Sequence, residues 1–229
     1  MVLSQRLTAV AMLVTQESRL ADIGTDHAFV PISLVEEGRI PSALAMDVNK
    51  GPLERAKEHI RMHGLEEYIE TRLSDGLDLL KPGEADTVMI AGMGGALTIR
   101  ILAKRPGLTG EIRELIVQPQ SEIAAVRRFL GQEGWKIVQE RMVREDGKYY
   151  QMMRCLPGIM DLNEAQAQYG PCLMTERSPV WMEYVLWRQE VLERNLSSIL
   201  HAQGDRSLRR REEILHDLET ARELVDPGS

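Results

Sequence analysis

The sequence predicts an α/β fold: a mostly parallel, doubly wound sheet followed by a separate helical hairpin. Three observations carry this. Short apolar runs (LADI, ALAMD, TVMIA, LIVQ) alternate with amphipathic segments up to residue 156, as happens when helices cover both faces of a parallel sheet. Glu145-Asp146-Gly147 separates two extended runs, the signature of an antiparallel hairpin closing the sheet. After Pro157-Gly158 the apolar spacing becomes purely helical.

The elements follow in order. Leu3, Leu7, Val10 and Val14 recur at helical spacing and predict a leading amphipathic helix over 3–16. Strands are expected at 19–23, 43–47, 69–73, 87–91 and 115–118, with helices at 31–37, 52–63, 96–104 and 123–132. Strands 135–144 and 148–156 flank the Asp146-Gly147 turn. The first domain therefore covers 1–157 and the second 158–229. In the latter, Met182, Val185, Leu192, Leu196 and Ile199 keep a three-four spacing interrupted at Gln189. Ile214, Leu218, Ala221 and Val225 repeat it, with Gly204-Asp205 between as helix stop and restart. An antiparallel hairpin of coiled-coil type, about 20 residues per arm, is the expectation.

Length and composition agree. A chain of 229 residues can bury one good core plus an appendage, and 43% apolar content argues against disorder. The aliphatic run at residues 10–14 is far too short for a membrane span, and no signal-peptide pattern precedes it. Cys155 and Cys172 form no CxxC pair. A reduced, cytoplasmic setting without disulfide, zinc or other metal is expected. The net charge of −7 speaks by itself against a nucleic-acid partner. Residues 157–229 hold 8 Lys+Arg against 13 Asp+Glu, however, which leaves the first domain nearly neutral.

Ligands of open α/β sheets sit outside the carboxyl ends of the strands. Here each such end carries an acid or a glycine. Asp22-Ile23-Gly24 closes the first strand, and Gly24 permits a tight turn with close backbone approach. Asp47 and Val48 end the second, where a carboxylate can take both hydroxyls of a ribose. Asp75-Gly76 follows the third, within reach of an adenine amino group. Ala91-Gly92-Met93-Gly94-Gly95 follows the fourth. Any one of these reads equally as a plain turn; the set of four does not. No G-x-G-x-x-G and no phosphate-loop lysine is present, so a pyrophosphate has nothing to lie against. Acids at three strand ends suit an adenosine without phosphates. S-adenosyl-L-methionine is such a ligand, and its cationic methylsulfonium would be drawn to Asp22 or Asp26. A class I, Rossmann-like methyltransferase is thereby favoured over a dehydrogenase.

Motifs sharpen this reading. "LSQRL", "ADIGTDHAFVP", "DVNKGPLERA", "SDGLDLL", "IAGMGG", "VQPQ" and "EDGKYYQM" occur in this order over 3–152, and "YGPCL" follows at 169–173. Together with the helical tail the chain resembles the TrmK family, bacterial tRNA (adenine(22)-N(1))-methyltransferases acting on an adenosine of the D-loop region. Two departures stand out: Ser74 where glycine is usual and Gln120 where asparagine is frequent. The resemblance implies a tRNA substrate; no obligate protein partner is evident in the sequence.

Chemistry at N1 of adenine needs in-line positioning and charge stabilisation. Asp26, just past the cofactor glycine, is the first candidate: its carboxylate would balance charge on the methylated ring or accept an N6 proton. A helix N-cap is its structural alternative. His27 is second, bonding the base or holding Asp26, with a structural histidine as the rival. Met93 would floor the base pocket or pack beneath the sheet. No [DN]-P-P-[YF] segment appears, so the pocket typical of exocyclic-amine methylation is lacking. Gln118-Pro119-Gln120 is a weaker site wall. Tyr149 or Tyr150 could stack on a flipped base. Arg100, Lys104 and Arg105, or Arg127 and Arg128, could meet phosphates or simply form solvated helix faces. Arg206, Arg209, Arg210 and Arg211 are the densest basic cluster, and the hairpin reads as a tRNA-docking arm or a dimerisation surface. Two further readings stay open: a methyltransferase on another RNA or a small metabolite, and a non-catalytic cofactor-binding adaptor. The intact set Asp22, Gly24, Asp26, Asp47 and Asp75 opposes the adaptor.

Overall fold

In the computed structural model, which describes residues 2–199 and 205–226, five short strands run parallel. They are β1 (Leu20–Ile23), β2 (Ala43–Asp47), β3 (Ile69–Leu73), β4 (Thr87–Met93) and β5 (Glu114–Pro119). The hairpin β6 (Trp135–Glu145) and β7 (Lys148–Pro157) adds antiparallel to β5, giving the order β3-β2-β1-β4-β5-β7-β6. Every residue of β1 and β5 is buried, which is why these segments read as mainly apolar runs despite the buried Asp22, Glu114 and Gln118. At the hairpin tip Asp146 and Gly147 both take positive φ, 49° and 73°, as a tight two-residue turn with the twist of its strands requires.

The strand order fixes where the helices go. The chain moves one way from β1 to β2 to β3 through α2 (Phe29–Glu36) and α3 (Lys50–Met62). It moves the other way from β4 to β5 through α4 (Gly95–Ala103), and α5 (Ile123–Gln132) follows β5. Right-handed crossovers then put α2 and α3 on one face and α4 on the other. On the first face α1 (Gln5–Ala11) joins α2 and α3, and Val10, Leu13, Ile32, Leu34 and Ile60 pack with Ala45, Met89 and Ile116 of the sheet.

Two expected boundaries move for identifiable reasons. The leading helix begins where Ser4 Oγ accepts from Leu7 N at 3.3 Å and stops at Ala11. Leu13 and Val14 then donate to the carbonyls of Val10 and Ala11, a tighter turn that keeps both side chains buried. The helical spacing thus outlasts the helix. The second helix starts at Phe29 rather than 31, preceded by Ala28 at φ 54°. Thr25 Oγ1 accepts from Ala28 N at 3.1 Å, so Asp26 is not an N-cap. The other expected strand and helix boundaries shift by two residues or fewer.

The chain divides into two units, Met1–Gln168 and Tyr169–Ser229. In the first, α5 carries a buried clasp. Arg127, expected to reach phosphate or solvent, is fully buried and bonds Glu140 (2.9 Å), Gln151 (2.6 Å) and the carbonyl of Ala167 (2.9 Å). Ala167 lies on α6 (Glu164–Tyr169), a short helix at the end of this unit. In the second unit α7 (Pro171–Glu176) precedes α8 (Pro179–Ile199) and α9 (Asp205–Val225). Leu192, Leu196 and Ile199 of α8 pack against Ile214 and Leu218 of α9. Trp181 is buried and donates from Nε1 to the Tyr169 carbonyl at 2.9 Å. The turn at Gly204 and the side chain of Arg206 lie outside the described residues. The short helices α6 and α7, of 6 residues each, went unread because they are too short to repeat a helical period.

Candidate active site

Chain order reverses between β1 and β4, so their following loops part toward opposite faces and leave a crevice at the carboxyl ends. A cleft of about 340 Å³ opens there, lined by Arg6, Asp22, Gly24, Asp26, His27 and Gly92 among others. That is room for a small ligand.

Asp22 is set on β1 in register with Ala45 and Met89, facing the same side of the sheet as α1–α3. Burial pushes its carboxyl up to about 7; a hydrogen bond from Thr25 opposes this, and the negative charge of Asp47 adds to it. At Gly24 the chain turns with φ 78°. Its N–H and that of Thr25 both donate to the Met46 carbonyl, at 2.7 and 3.0 Å, tying the loop to β2. A Cβ on Gly24 would overlap the terminal methyl of Met93. Met93 thus lies over the first loop rather than beneath the sheet.

Asp26 stands at the rim with its side chain 61% exposed. Arg55 of α3 bonds one carboxylate oxygen through Nε at 3.1 Å and also through Nη2. His27 Nε2 lies 3.4 Å from the other oxygen. The His27 ring is nearly parallel to Phe29 (4.8 Å, 6°) and to His59 (4.9 Å, 23°). Its Nδ1 is buried without a hydrogen-bond partner among the described residues.

The remaining strand ends flank the cleft. Asp47 Oδ1 accepts from Asn49 N at 2.6 Å, and Val48 beside it is exposed. Asp75 pairs with Lys104 at 2.6 Å, and the hydrogen bond from that ammonium holds its carboxyl below the ordinary range. Gly76 is buried against Ile101. Ser74 Oγ donates to the Gly76 carbonyl at 3.1 Å and accepts from Leu79 N at 3.2 Å, so a serine serves this loop internally. Ala91 and Gly92 line the cleft, and a Cβ on Gly92 would meet nothing nearer than Arg6 Nη1 at 3.6 Å. The cleft thus gathers Asp22, Gly24, Asp26, His27, Ala91 and Gly92. Asp47, Val48, Asp75, Gly76 and Met93 are not among the residues that line it.

Several cleft residues had no signal in the pattern. Arg6 falls on what reads as the solvent side of the first helix, yet its Nη1 donates to Gln118 Oε1 at 2.8 Å. The guanidinium also lies over the Tyr150 ring, 5.6 Å from its centroid, while Tyr149 lies under Arg144. Of the two tyrosines, Tyr150 therefore connects to the cleft. Arg55 and His59 looked like ordinary polar positions of an amphipathic helix. Lys104 and Arg105 are engaged within the fold, with Asp75 and with Glu111, and Arg128 pairs with Glu164. In chemical terms the cleft offers bare backbone at Gly92, a buried acid, an exposed acid and one arginine. That donor set fits a ligand with positive charge on the acid side and oxygen atoms elsewhere, and does not suit a polyphosphate.

Comparison with known proteins gives a consistent picture. Residues 3–153 match the family described as Methyltransferase domain. The chain is 34% identical to the tRNA (adenine(22)-N(1))-methyltransferase of Bacillus subtilis, over 99% of this chain and 98% of the relative. A putative tRNA (m1A22) methyltransferase of Streptococcus pneumoniae, in complex with S-adenosyl-L-methionine, superposes with TM-score 0.89 at 34% identity, covering 98% of this chain and 100% of that one. TrmK of M. capricolum, in complex with S-adenosyl-homocysteine, superposes with TM-score 0.84 at 27% identity, covering 98% of both. No helix among the described residues is long and apolar enough to cross a membrane.

Proposed function

Because the chain belongs to the family of the tRNA (adenine(22)-N(1))-methyltransferases, the TrmK family its motifs resemble, we propose that it methylates N1 of an adenosine in tRNA. The methyl donor is S-adenosyl-L-methionine. The observation that carries this reading is the full-length 34% identity, joined to a cleft at the sheet's reversal point whose walls are the same motif blocks.

The donor supplies a methyl group already activated by its sulfonium. What the chain must add is alignment and charge balance. Asp22 offers a buried carboxylate to the cationic part of the donor, and Gly24, Ala91 and Gly92 offer backbone. Asp47 is suited to the ribose hydroxyls, with Val48 beside it, and Asp75 with Gly76 to the adenine edge; Met93 closes the first loop. Asp26 faces the substrate side. Its carboxylate balances positive charge on the methylated ring or accepts the N6 proton. His27 steadies the second oxygen of Asp26 while Arg55 holds the first, and Arg55 must yield part of that contact for Asp26 to serve the base. The helical hairpin of α8 and α9 acts as the docking arm for tRNA, and the reaction has a cytoplasmic setting.

The test is direct. The protein is incubated with labelled S-adenosyl-L-methionine and tRNA lacking the modification, and the digested nucleosides are separated. Label in 1-methyladenosine is the expected result. Label in another nucleoside, or in none, sinks the reading.

A further inference from the structure

Three ion pairs that hold the first unit together share one geometry. Arg19, Arg72 and Arg105 each lay two guanidinium nitrogens against the two separate oxygens of Asp86, Glu84 and Glu111. That parallel fork is what makes an arginine–carboxylate pair strong. Arg55 and Asp26 lack it. Nε of Arg55 (3.1 Å) and Nη2 both converge on Oδ1 of Asp26, and the two side chains are 48% and 61% exposed. Nη1 of Arg55 meets no acceptor among the described residues. A pair that misses the fork and stands open to water is weakly held.

The group on the other oxygen is fixed more firmly. His27 Nε2 lies 3.4 Å from Oδ2, and its ring is stacked with those of Phe29 and His59. His59 Nδ1 is also 3.3 Å from the His27 carbonyl oxygen. His59 follows Arg55 by four residues on the same face of α3. One helix face therefore gives the loop both a packed ring and a long, exposed arm. With the arm in place each oxygen of Asp26 already faces a nitrogen, and the guanidinium offsets the negative charge that a methylated base would draw on. Asp26 acts at full charge only when the arm leaves. A nucleotide that presents its base to Asp26 brings its flanking phosphates to the same rim, and phosphate is a strong partner for a guanidinium.

We propose that Arg55 is a latch on Asp26, opened by the substrate: a phosphate flanking the target adenosine draws the guanidinium off Oδ1 and frees that oxygen for the base. This rests on the role given to Asp26 above and adds a selection for nucleic acid. An adenine that arrives without its phosphates leaves the latch shut, so the carboxylate is unmasked only when RNA is in place. Arg55 is a positioning residue in this scheme, acting through Asp26.

The experiment is single-turnover methylation with saturating S-adenosyl-L-methionine, on the full chain as wild type, Arg55→Ala and Arg55→Lys. Each is given unmodified tRNA and tRNA in which one phosphate flanking the target adenosine is replaced by an uncharged methylphosphonate, the two flanking positions being tested separately. At one of these positions the neutral linkage should slow the wild type roughly 10-fold or more, the range of a charge-assisted contact. Arg55→Ala should be slower than wild type on natural tRNA and nearly indifferent to the neutral linkage. On the neutral-linkage tRNA it should outrun the wild type by roughly 2- to 5-fold, because no exposed ion pair then masks Asp26. Arg55→Lys should regain part of the sensitivity to the linkage, which a merely structural role would not produce. An equal penalty in wild type and Arg55→Ala would overturn the proposal, since the phosphate would then be met by another group. So would a wild type indifferent at both positions. Arg55→Ala slowed equally on both tRNAs would make the arginine a support for the loop, and the latch would fall. If the wild type methylates neither tRNA, the proposed function falls first and this inference with it.

Discussion

A carboxyl group buried on a central strand, as Asp22 is, keeps its proton to about pH 7, since the cost of burying its charge exceeds what Thr25 returns. The free group would lose its proton near 3.8. Between those values the folded chain binds more protons than the unfolded one, so stability falls as pH rises from about 4 to 7 and levels off above. A cationic ligand prefers the ionised form. Affinity for S-adenosyl-L-methionine should therefore drop as pH falls below 7, by up to about tenfold per pH unit, with proton release on binding. Asp22→Asn should bind weakly at every pH and resist urea better than wild type at pH 8. A wild-type affinity that is flat from pH 5.5 to 8 would show that Asp22 meets no cation. Asp26 calls for a different readout, because its carboxylate is exposed and paired with Arg55. Asp26→Asn should leave cofactor binding intact and slow single-turnover methylation by about 100-fold, in the range of acid–base and electrostatic contributions. A wild-type rate in Asp26→Asn would reduce the carboxylate to an anchor for Arg55.

At the scale of elements, what could be read in the sequence was what depends on neighbours along the chain. LADI, ALAMD, TVMIA and LIVQ became β1, β2, β4 and β5 because buried parallel strands need continuous apolar residues. The Asp146-Gly147 turn could be read because few residues adopt two successive positive φ values. What stayed hidden depends on residues far apart in sequence. Nothing in the spacing of α3 announces that Arg55 meets Asp26, or in α1 that Arg6 meets Gln118 across more than a hundred residues. Arg127 is the clearest case, since two adjacent arginines on an amphipathic helix look like a solvated face. Only β6, β7 and α6, arriving from later in the chain, bury it. Breaking a buried pair from one side leaves an uncompensated charge and costs about 3–5 kcal/mol. Arg127→Met should lower stability by that amount in urea unfolding. Adding Glu140→Leu should recover part of it, because the stranded carboxylate goes too. If the double variant is no more stable than the single one, the pair with Glu140 is not what Arg127 contributes.

For the whole molecule the question is how a chain of net charge −7 could hold a polyanion. Phosphate contacts depend on local charge, and binding through them releases counterions, so affinity falls as salt rises whatever the total charge. Much of the cationic surface is already committed within the fold: Arg19 to Asp86, Arg72 to Glu84, Lys104 to Asp75, Arg154 to Glu114. The second unit differs. Its α9 exposes Arg209, Arg210 and Arg211 in succession. Arg210 pairs with Glu213 at 2.9 Å, but both side chains are about 60% exposed, and such a surface pair is weak enough to exchange for phosphate. Replacing Arg209 and Arg211 with Ala should weaken tRNA binding in a filter or fluorescence assay. It should also flatten the plot of log affinity against log salt by roughly one unit for each phosphate that is no longer neutralised. Affinity for S-adenosyl-L-methionine should not change, because the cleft is built wholly from the first unit. Loss of tRNA binding with an unchanged salt slope would point to shape recognition by the hairpin, not charge. Unchanged affinity in both measurements would remove the docking role from this part of α9 and leave tRNA recognition to the rim of the cleft, where Arg55 becomes the next residue to replace.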